Sequence, residues 1–167
     1  MKILIIGSAR HGKDTLASII CDIKNFSFLS SSRAALDLFI YDELKDKYNY
    51  KSKEECYNDR INHRSEWYDL ICDYNKEDKC KLTKKILEKS NIYVGLRDKE
   101  EVDQCIKENI FDLILGVYDY RKPIEDESSN NVDIFQYADI IIPNSGTIRE
   151  LENKVSILFK YLDHSWK

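Results

Sequence analysis

The residues with the clearest chemical potential are Gly7-Ser8-Ala9-Arg10-His11-Gly12-Lys13-Asp14-Thr15, spaced G-x-x-x-x-G-K and followed by an acid and a hydroxyl. A polyphosphate needs many donors packed around a tight bend. Backbone N–H groups supply them, and glycines permit the bend and a close approach. Lys13 could reach the outer phosphates, and a hydroxyl there could help hold Mg²⁺. The expected cradle is Gly7, Arg10, His11, Gly12, Lys13, Asp14 and Thr15, with Thr15 and Asp14 as the metal-facing pair. The alternative is a chance glycine turn between a strand and a helix.

A second set lies in mid-chain. Arg60, His63, Arg64 and Trp67 stand at i, i+3, i+4 and i+7, so a helix running from Ser52 to about Tyr74 would put them on one face. Arginine holds phosphate in bidentate fashion, and Trp or His stacks on a ring. Asp59 and Glu66 flank that face and, with His63, could serve an acceptor hydroxyl. The plain alternative is a salt-bridged helix with Trp67 half-buried against a neighbour. Arg33 follows the run Ser30-Ser31-Ser32, itself a helix-capping signal. Arg97 follows a strand that ends at Gly95. Arg121 and Lys122 are basic residues of a polar loop, and Asn144 lies in the last turn. Asp119, after the fourth strand, is the remaining carboxylate that could contact Mg²⁺ through water.

These residues need elements to position them. Lys2–Ile6 is a short apolar run suited to a strand buried on both faces. Helical spacing takes over from Lys13 to Ile23. Phe26–Ser30 reads as a second strand and Ala34 to about Lys47 as a helix. Ser52 and Glu55 form a capping box before the next helix. Lys79–Lys89 is helical, Asn91–Arg97 a strand, Lys99–Asn109 a helix and Asp112–Tyr118 a strand. A loop from Asp119 to Asn131 leads to a strand at Asp139–Ile142, a turn at 143–147 and a helix from Ile148 to about Leu162. With 167 residues, the chain has room for one domain with a core. Its net charge of −4 argues against a broad nucleic-acid surface, though not against a local basic cleft. No run reaches the length of a membrane span, and no signal peptide is read, so a cytoplasmic setting is expected. The five cysteines are scattered, with no C-x-x-C pair, which indicates neither a disulfide framework nor a zinc site.

The Gly12-Lys13-Asp14-Thr15 loop, with a residue between lysine and threonine, resembles adenylate-kinase-like P-loop kinases and, in its G-K-D-T form, phage deoxynucleoside monophosphate kinases. The Asn144-Ser145-Gly146-Thr147 turn before a closing helix resembles the end of the same kinases. The resemblance implies a three-layer α/β P-loop fold with a five-stranded parallel sheet in the order 2-3-1-4-5. It also implies one kinase domain over 1–167, with a helical acceptor-binding insert at about 34–90 and a short lid-like loop at about 119–131. ATP and Mg²⁺ are the implied cofactors, and Asn144 would pass near the adenine. By the resemblance Arg33, Arg97 and Arg121 would bind the acceptor; Arg60, His63, Arg64 and Trp67, on a segment that is not a feature of ordinary nucleoside monophosphate kinases, are expected to join them from their shared helix face. Lys13, Arg64, Asp59 and Glu66 would carry catalysis. One departure is Gly95, which stands where related kinases have an acid two residues before the arginine.

Asn62-His63-Arg64-x-Glu66-Trp67-Tyr68 resembles, more loosely, phage P-loop kinases that phosphorylate 5-hydroxymethyluridine in DNA. Three readings therefore stand side by side. The first is a kinase of a deoxynucleoside monophosphate. The second is a kinase of a hydroxymethyl group on a modified base in DNA. The third is a non-enzymatic nucleotide-binding switch, for which the sequence offers neither an N-K-x-D motif nor a D-x-x-G after a strand.

Overall fold

The computed structural model describes residues 1–124 and 132–165. Five strands form one parallel sheet in the order β2-β3-β1-β4-β5: β1 (Ile3–Ile6), β2 (Phe28–Ser30), β3 (Ile92–Val94), β4 (Leu113–Tyr118) and β5 (Ile140–Pro143). This is the order expected from the sequence. The central strand β1 pairs Ile3–Ile5 with Ile92–Val94 on one side and Ile3–Ile6 with Leu113–Gly116 on the other.

All four residues of β1 are fully buried. Side chains alternate across a strand, so Leu4 and Ile6 enter one core and Ile3 and Ile5 the other. The Ile3/Ile5 face is covered by α1 (Lys13–Lys24) and α9 (Ile148–Ser165), which contribute Leu16, Ile20, Leu151, Val155 and Phe159. The opposite face is covered by the remaining helices. These are α2 (Ser31–Ala35), α3 (Tyr41–Tyr48), α4 (Lys53–Asp59), α5 (Arg64–Tyr74), α6 (Lys81–Leu87), α7 (Lys99–Lys107) and the short α8 (Ile134–Tyr137). Among the described residues no helix is long and apolar enough to cross a membrane.

The structure corrects several sequence readings. The helix expected from Ala34 begins at Ser31, where the Ser30 side chain caps it by accepting from the Arg33 amide, and its middle, Leu36–Ile40, is π-helical. The helix expected from 52 to 74 is two helices, α4 and α5, separated by a turn at 60–63. The Asp59 carboxylate explains the break. It accepts from Asn62 Nδ2 at 2.6 Å and meets His63 Nε2 at 3.0 Å, drawing the chain into i→i+3 bonds in place of a continuing helix. The helix α8 had no counterpart in the sequence reading. Residues 125–131, the acidic and polar part of the expected lid-like loop, lie outside the described residues.

Candidate active site

The loop between β1 and α1 is built around backbone conformations that few side chains tolerate. Gly7, Arg10 and Gly12 have φ of 149°, 64° and 95°. A Cβ on Gly7 would run into the carbonyl oxygen of Val117, and one on Gly12 would collide with Asn144 Nδ2. In this structure the glycines are therefore required by neighbouring protein atoms. Gly12 is also the N-cap of α1 and brings no side chain to cap it. The first-turn amides and the positive end of the helix dipole thus face the loop, the arrangement that suits an anion.

Lys13 Nζ donates to the carbonyls of Gly7 and Ser8, both at 2.8 Å, so its ammonium is folded over the loop. Asp14 and Thr15 are exposed. The cradle, the lysine and two exposed oxygen-bearing side chains fit a nucleoside triphosphate with a divalent cation.

His11 has a different place from the one expected. It is 1% exposed, and its ring faces protein. Nδ1 accepts from the Asp119 amide at 3.1 Å, which leaves Nε2 to carry the proton and donate to the Pro123 carbonyl at 3.1 Å. Asn144 Nδ2 donates to the His11 carbonyl at 3.0 Å, and Lys122 Nζ to the Arg10 carbonyl at 2.8 Å. Arg121 is held by the Asp119 carboxylate, with Nε at 2.8 Å and Nη2 at 2.9 Å. The Arg121 guanidinium is the first cause of a strongly depressed Asp119 pKa. The segment 119–123 and the turn at Asn144 are thus bonded to the loop between β1 and α1. Asp119, occupied by Arg121, is not placed as an open metal ligand.

A cavity of about 600 Å³ opens beside this loop, above the C-terminal ends of β2 and β3. Ligands of open α/β sheets bind there. Arg10, Lys13 and Asp14 line one part of it; Arg60, Arg64, Arg97, Trp67 and Tyr68 line others. Although the helix is broken, Arg60, Arg64 and Trp67 reach the same wall. Arg60 does so from the turn, anchored by Nη1 on the Tyr57 carbonyl at 2.7 Å. Trp67 is 5% exposed and packs edge-on against Tyr57, so it is both a core residue and a cavity wall. Its Nε1 has no hydrogen-bond partner among the described residues.

Other expected site residues lie outside the cavity lining. Arg33 forms a two-bond pair with Glu54, at 2.8 and 3.1 Å. Its guanidinium lies 3.8 Å from the Tyr57 ring centroid, and so does that of Arg60. Two guanidinium groups cannot share one face at that height, so the ring is sandwiched between them. His63 sits against Tyr48 and Asp59, with its ring 4.1 Å from that of Tyr48. Asp59 accepts from Tyr50 and Asn62, while Glu66 is taken by Lys47 and Tyr48. These bonds hold both carboxyls below their ordinary pKa, with Tyr50 the largest cause for Asp59 and Lys47 for Glu66. Neither carboxylate reaches the cavity from these positions.

The structure adds residues that the sequence reading passed over. Tyr93, Asp98 and Glu101 line the cavity. Ser31 Oγ, also in the wall, donates to the Gly95 carbonyl at 3.0 Å. Glu101 is adjacent to Glu100, and the two acids look alike in a helix's first turn. Only the i, i+1, i+4 set of Glu101, Val102 and Cys105, all buried, distinguishes the inward one.

No protein-family model matches the chain, and no curated protein matches it. Among solved structures it is similar to a shikimate kinase from Aquifex aeolicus vf5, with 13% identity, a TM-score of 0.49 and 98% of each chain covered. It is also similar to a sugar kinase from Janibacter sp. HTCC2649, with 11% identity, a TM-score of 0.48 and coverage of 97% of this chain and 94% of the other.

Proposed function

We propose that the protein is an ATP-dependent kinase that transfers the γ-phosphate to a deoxynucleoside monophosphate. One observation carries the reading: Arg10, Lys13 and Asp14 of the phosphate loop share a single cavity with Arg60, Arg64 and Arg97 and an aromatic wall. A monophosphate acceptor brings an oxyanion, so no strong general base is needed, and catalysis reduces to positioning and charge neutralisation. Arg60, Arg64 and Arg97 would hold the acceptor's phosphate, and Trp67 and Tyr68 would flank its ring. Lys13 would leave the Gly7 and Ser8 carbonyls for the transferring phosphate. The Thr15 hydroxyl and Asp14 carboxylate would hold Mg²⁺, which when bound supplies further charge neutralisation. In the step itself the acceptor oxygen bonds to the γ-phosphorus as its bond to the β–γ bridging oxygen breaks, and ADP leaves.

Asp59, His63 and Glu66, the groups expected to serve a hydroxyl acceptor, lie outside the cavity lining, whereas Arg60, Arg64 and Arg97 line it and suit an anionic acceptor, so the monophosphate is preferred. The test is transfer of labelled γ-phosphate from ATP to each deoxynucleoside monophosphate, and to DNA with and without 5-hydroxymethyluracil. Label in a monophosphate supports the reading. Label only in the modified DNA selects the alternative, and ATP binding without transfer to any acceptor points to the nucleotide-binding switch.

A further inference from the structure

A buried carboxyl stands in the wall of the cavity that this reading fills with the acceptor. Glu101, in the first turn of α7, is 2% exposed. Thr83 on α6 donates to its Oε1 at 2.6 Å, and the other oxygen has no hydrogen bond to any described residue. Burial raises its pKa to about 7, which the Thr83 hydroxyl partly opposes. Among charged neighbours, Asp98 at the cap of α7 pushes in the same direction and Lys79 ahead of α6 pulls against it. Tyr93 on β3 and Cys105 on α7 are both pushed upward by burial, so each faces Glu101 as an uncharged group.

We infer that Glu101 is a specificity-determining residue of the acceptor cavity, pairing as a neutral carboxylic acid with the uncharged hydrogen-bonding edge of the acceptor's ring. The inference rests on the kinase reading above. The partner is not a phosphate: the Asp98 carboxylate repels an anion on that side of the cavity and a neutral Glu101 brings no charge to attract one, whereas the arginines do. The acceptor's orientation follows, with its phosphate on the arginines and its ring toward α7. A neutral carboxyl offers one O–H donor and retains acceptor capacity. It therefore matches the mixed edge of a nucleobase, either N–H beside C=O or a ring nitrogen beside an amino group. A carboxylate can only accept, so ionisation removes one of the two bonds and leaves a charge in an apolar wall. Acceptor binding should accordingly weaken as the pH rises.

The experiment measures initial rates with ATP and each of the four deoxynucleoside monophosphates from pH 6 to 8.5, for the wild type, Glu101→Gln and Glu101→Leu. Glutamine keeps a donor and an acceptor but cannot ionise. The wild-type acceptor KM should rise about tenfold per pH unit above neutrality, the limit for loss of one protonated form. Glu101→Gln should retain only the pH dependence set by the acceptor's own phosphate. Glu101→Leu should raise the acceptor KM about tenfold at pH 6, as for a lost buried hydrogen bond, with the KM for ATP little changed. A Gln variant that keeps the wild-type pH profile, or a folded Leu variant with unchanged acceptor KM, overturns the inference alone. Absence of transfer to every monophosphate overturns it together with the kinase reading on which it rests.

Discussion

The backbone amide of Asp119 donates to Nδ1 of His11 at 3.1 Å, joining the end of β4 to the loop between β1 and α1. Because an amide can only donate, the bond fixes the tautomer of a ring that is almost wholly buried. His11→Phe would keep the bulk and leave that amide without an acceptor, at a cost of about 1–3 kcal/mol. For a chain of this size, the expected fall in melting temperature is about 2–4 °C per kcal/mol. ATP affinity should fall with it, because the same ring braces the loop. A variant that melts with the wild type would show that the bond contributes nothing to the loop.

Gly12 and Asn144 form a second such pair. Gly12→Ala places a methyl group against Asn144 Nδ2 at a φ of 95°, so collision and backbone strain add. The expected destabilisation is on the order of 1–3 kcal/mol from strain alone. Adding Asn144→Ala should relieve the collision and leave the strain. Thermal unfolding of the single and double variants should therefore show partial recovery; no recovery would mean that Asn144 is not what crowds the glycine.

Lys13→Ala should reduce phosphoryl transfer by ~10²–10³ while the sheet remains folded, the usual effect of losing one donor aimed at transition-state charge. The measurement is kcat with circular dichroism as the folding control. Undiminished turnover in a folded variant would sink the kinase reading.

Arg64→Ala should lower kcat/KM for the acceptor by an amount equivalent to about 1.5–3 kcal/mol, the range for a hydrogen bond to a charged group. ATP affinity, titrated without acceptor, should move little. Trp67 needs a gentler probe, because its burial makes Trp67→Ala a core deletion costing about 3–5 kcal/mol. Trp67→Phe keeps an aromatic wall and removes the unpartnered Nε1. Loss of ATP affinity with an intact acceptor KM would move this wall to the donor side.

Glu101 also makes a prediction about stability. Its folded pKa of about 7 lies above the ordinary 4.5. Between those values the folded state binds more protons than the unfolded state, so this residue's contribution falls as the pH rises through the window. The full penalty, on the order of 3 kcal/mol, is present above pH 7 and absent below about 4.5. Glu101→Gln should therefore match the wild type in melting temperature at pH 4 and exceed it increasingly toward pH 8. A constant difference across that range would mean that Glu101 does not titrate with folding.

The sequence by itself determined the frame. Ile3–Ile6 is a short run of apolar, mostly β-branched side chains entering a glycine turn at once, which reads as a strand buried on both faces. The loop after it, from Gly7 to Thr15, is written in consecutive residues whose backbone needs are local. Sheet order followed from matching that loop to a known kinase pattern, and the strands pair accordingly. Arg60, Arg64 and Trp67 could be singled out because four unusual residues clustered within eight positions.

Tertiary structure decided which charged groups face the cavity, because that depends on which competing partners come within reach, some distant along the chain and one, Asp119 for Arg121, two residues away. Arg33 is held by Glu54, Glu66 by Lys47 and Tyr48, and Arg121 by Asp119. None of these pairings has a sequence signal strong enough to separate it from a ligand contact. The helix break at Arg60–His63 came from the Asp59 side chain outcompeting the backbone for nearby donors, a balance that helical periodicity does not register. Glu101 was hidden for the opposite reason. An acid in a helix's first turn satisfies the dipole whether it faces water or the core, and only the packing of α6 and α7 around Thr83 turned this one inward.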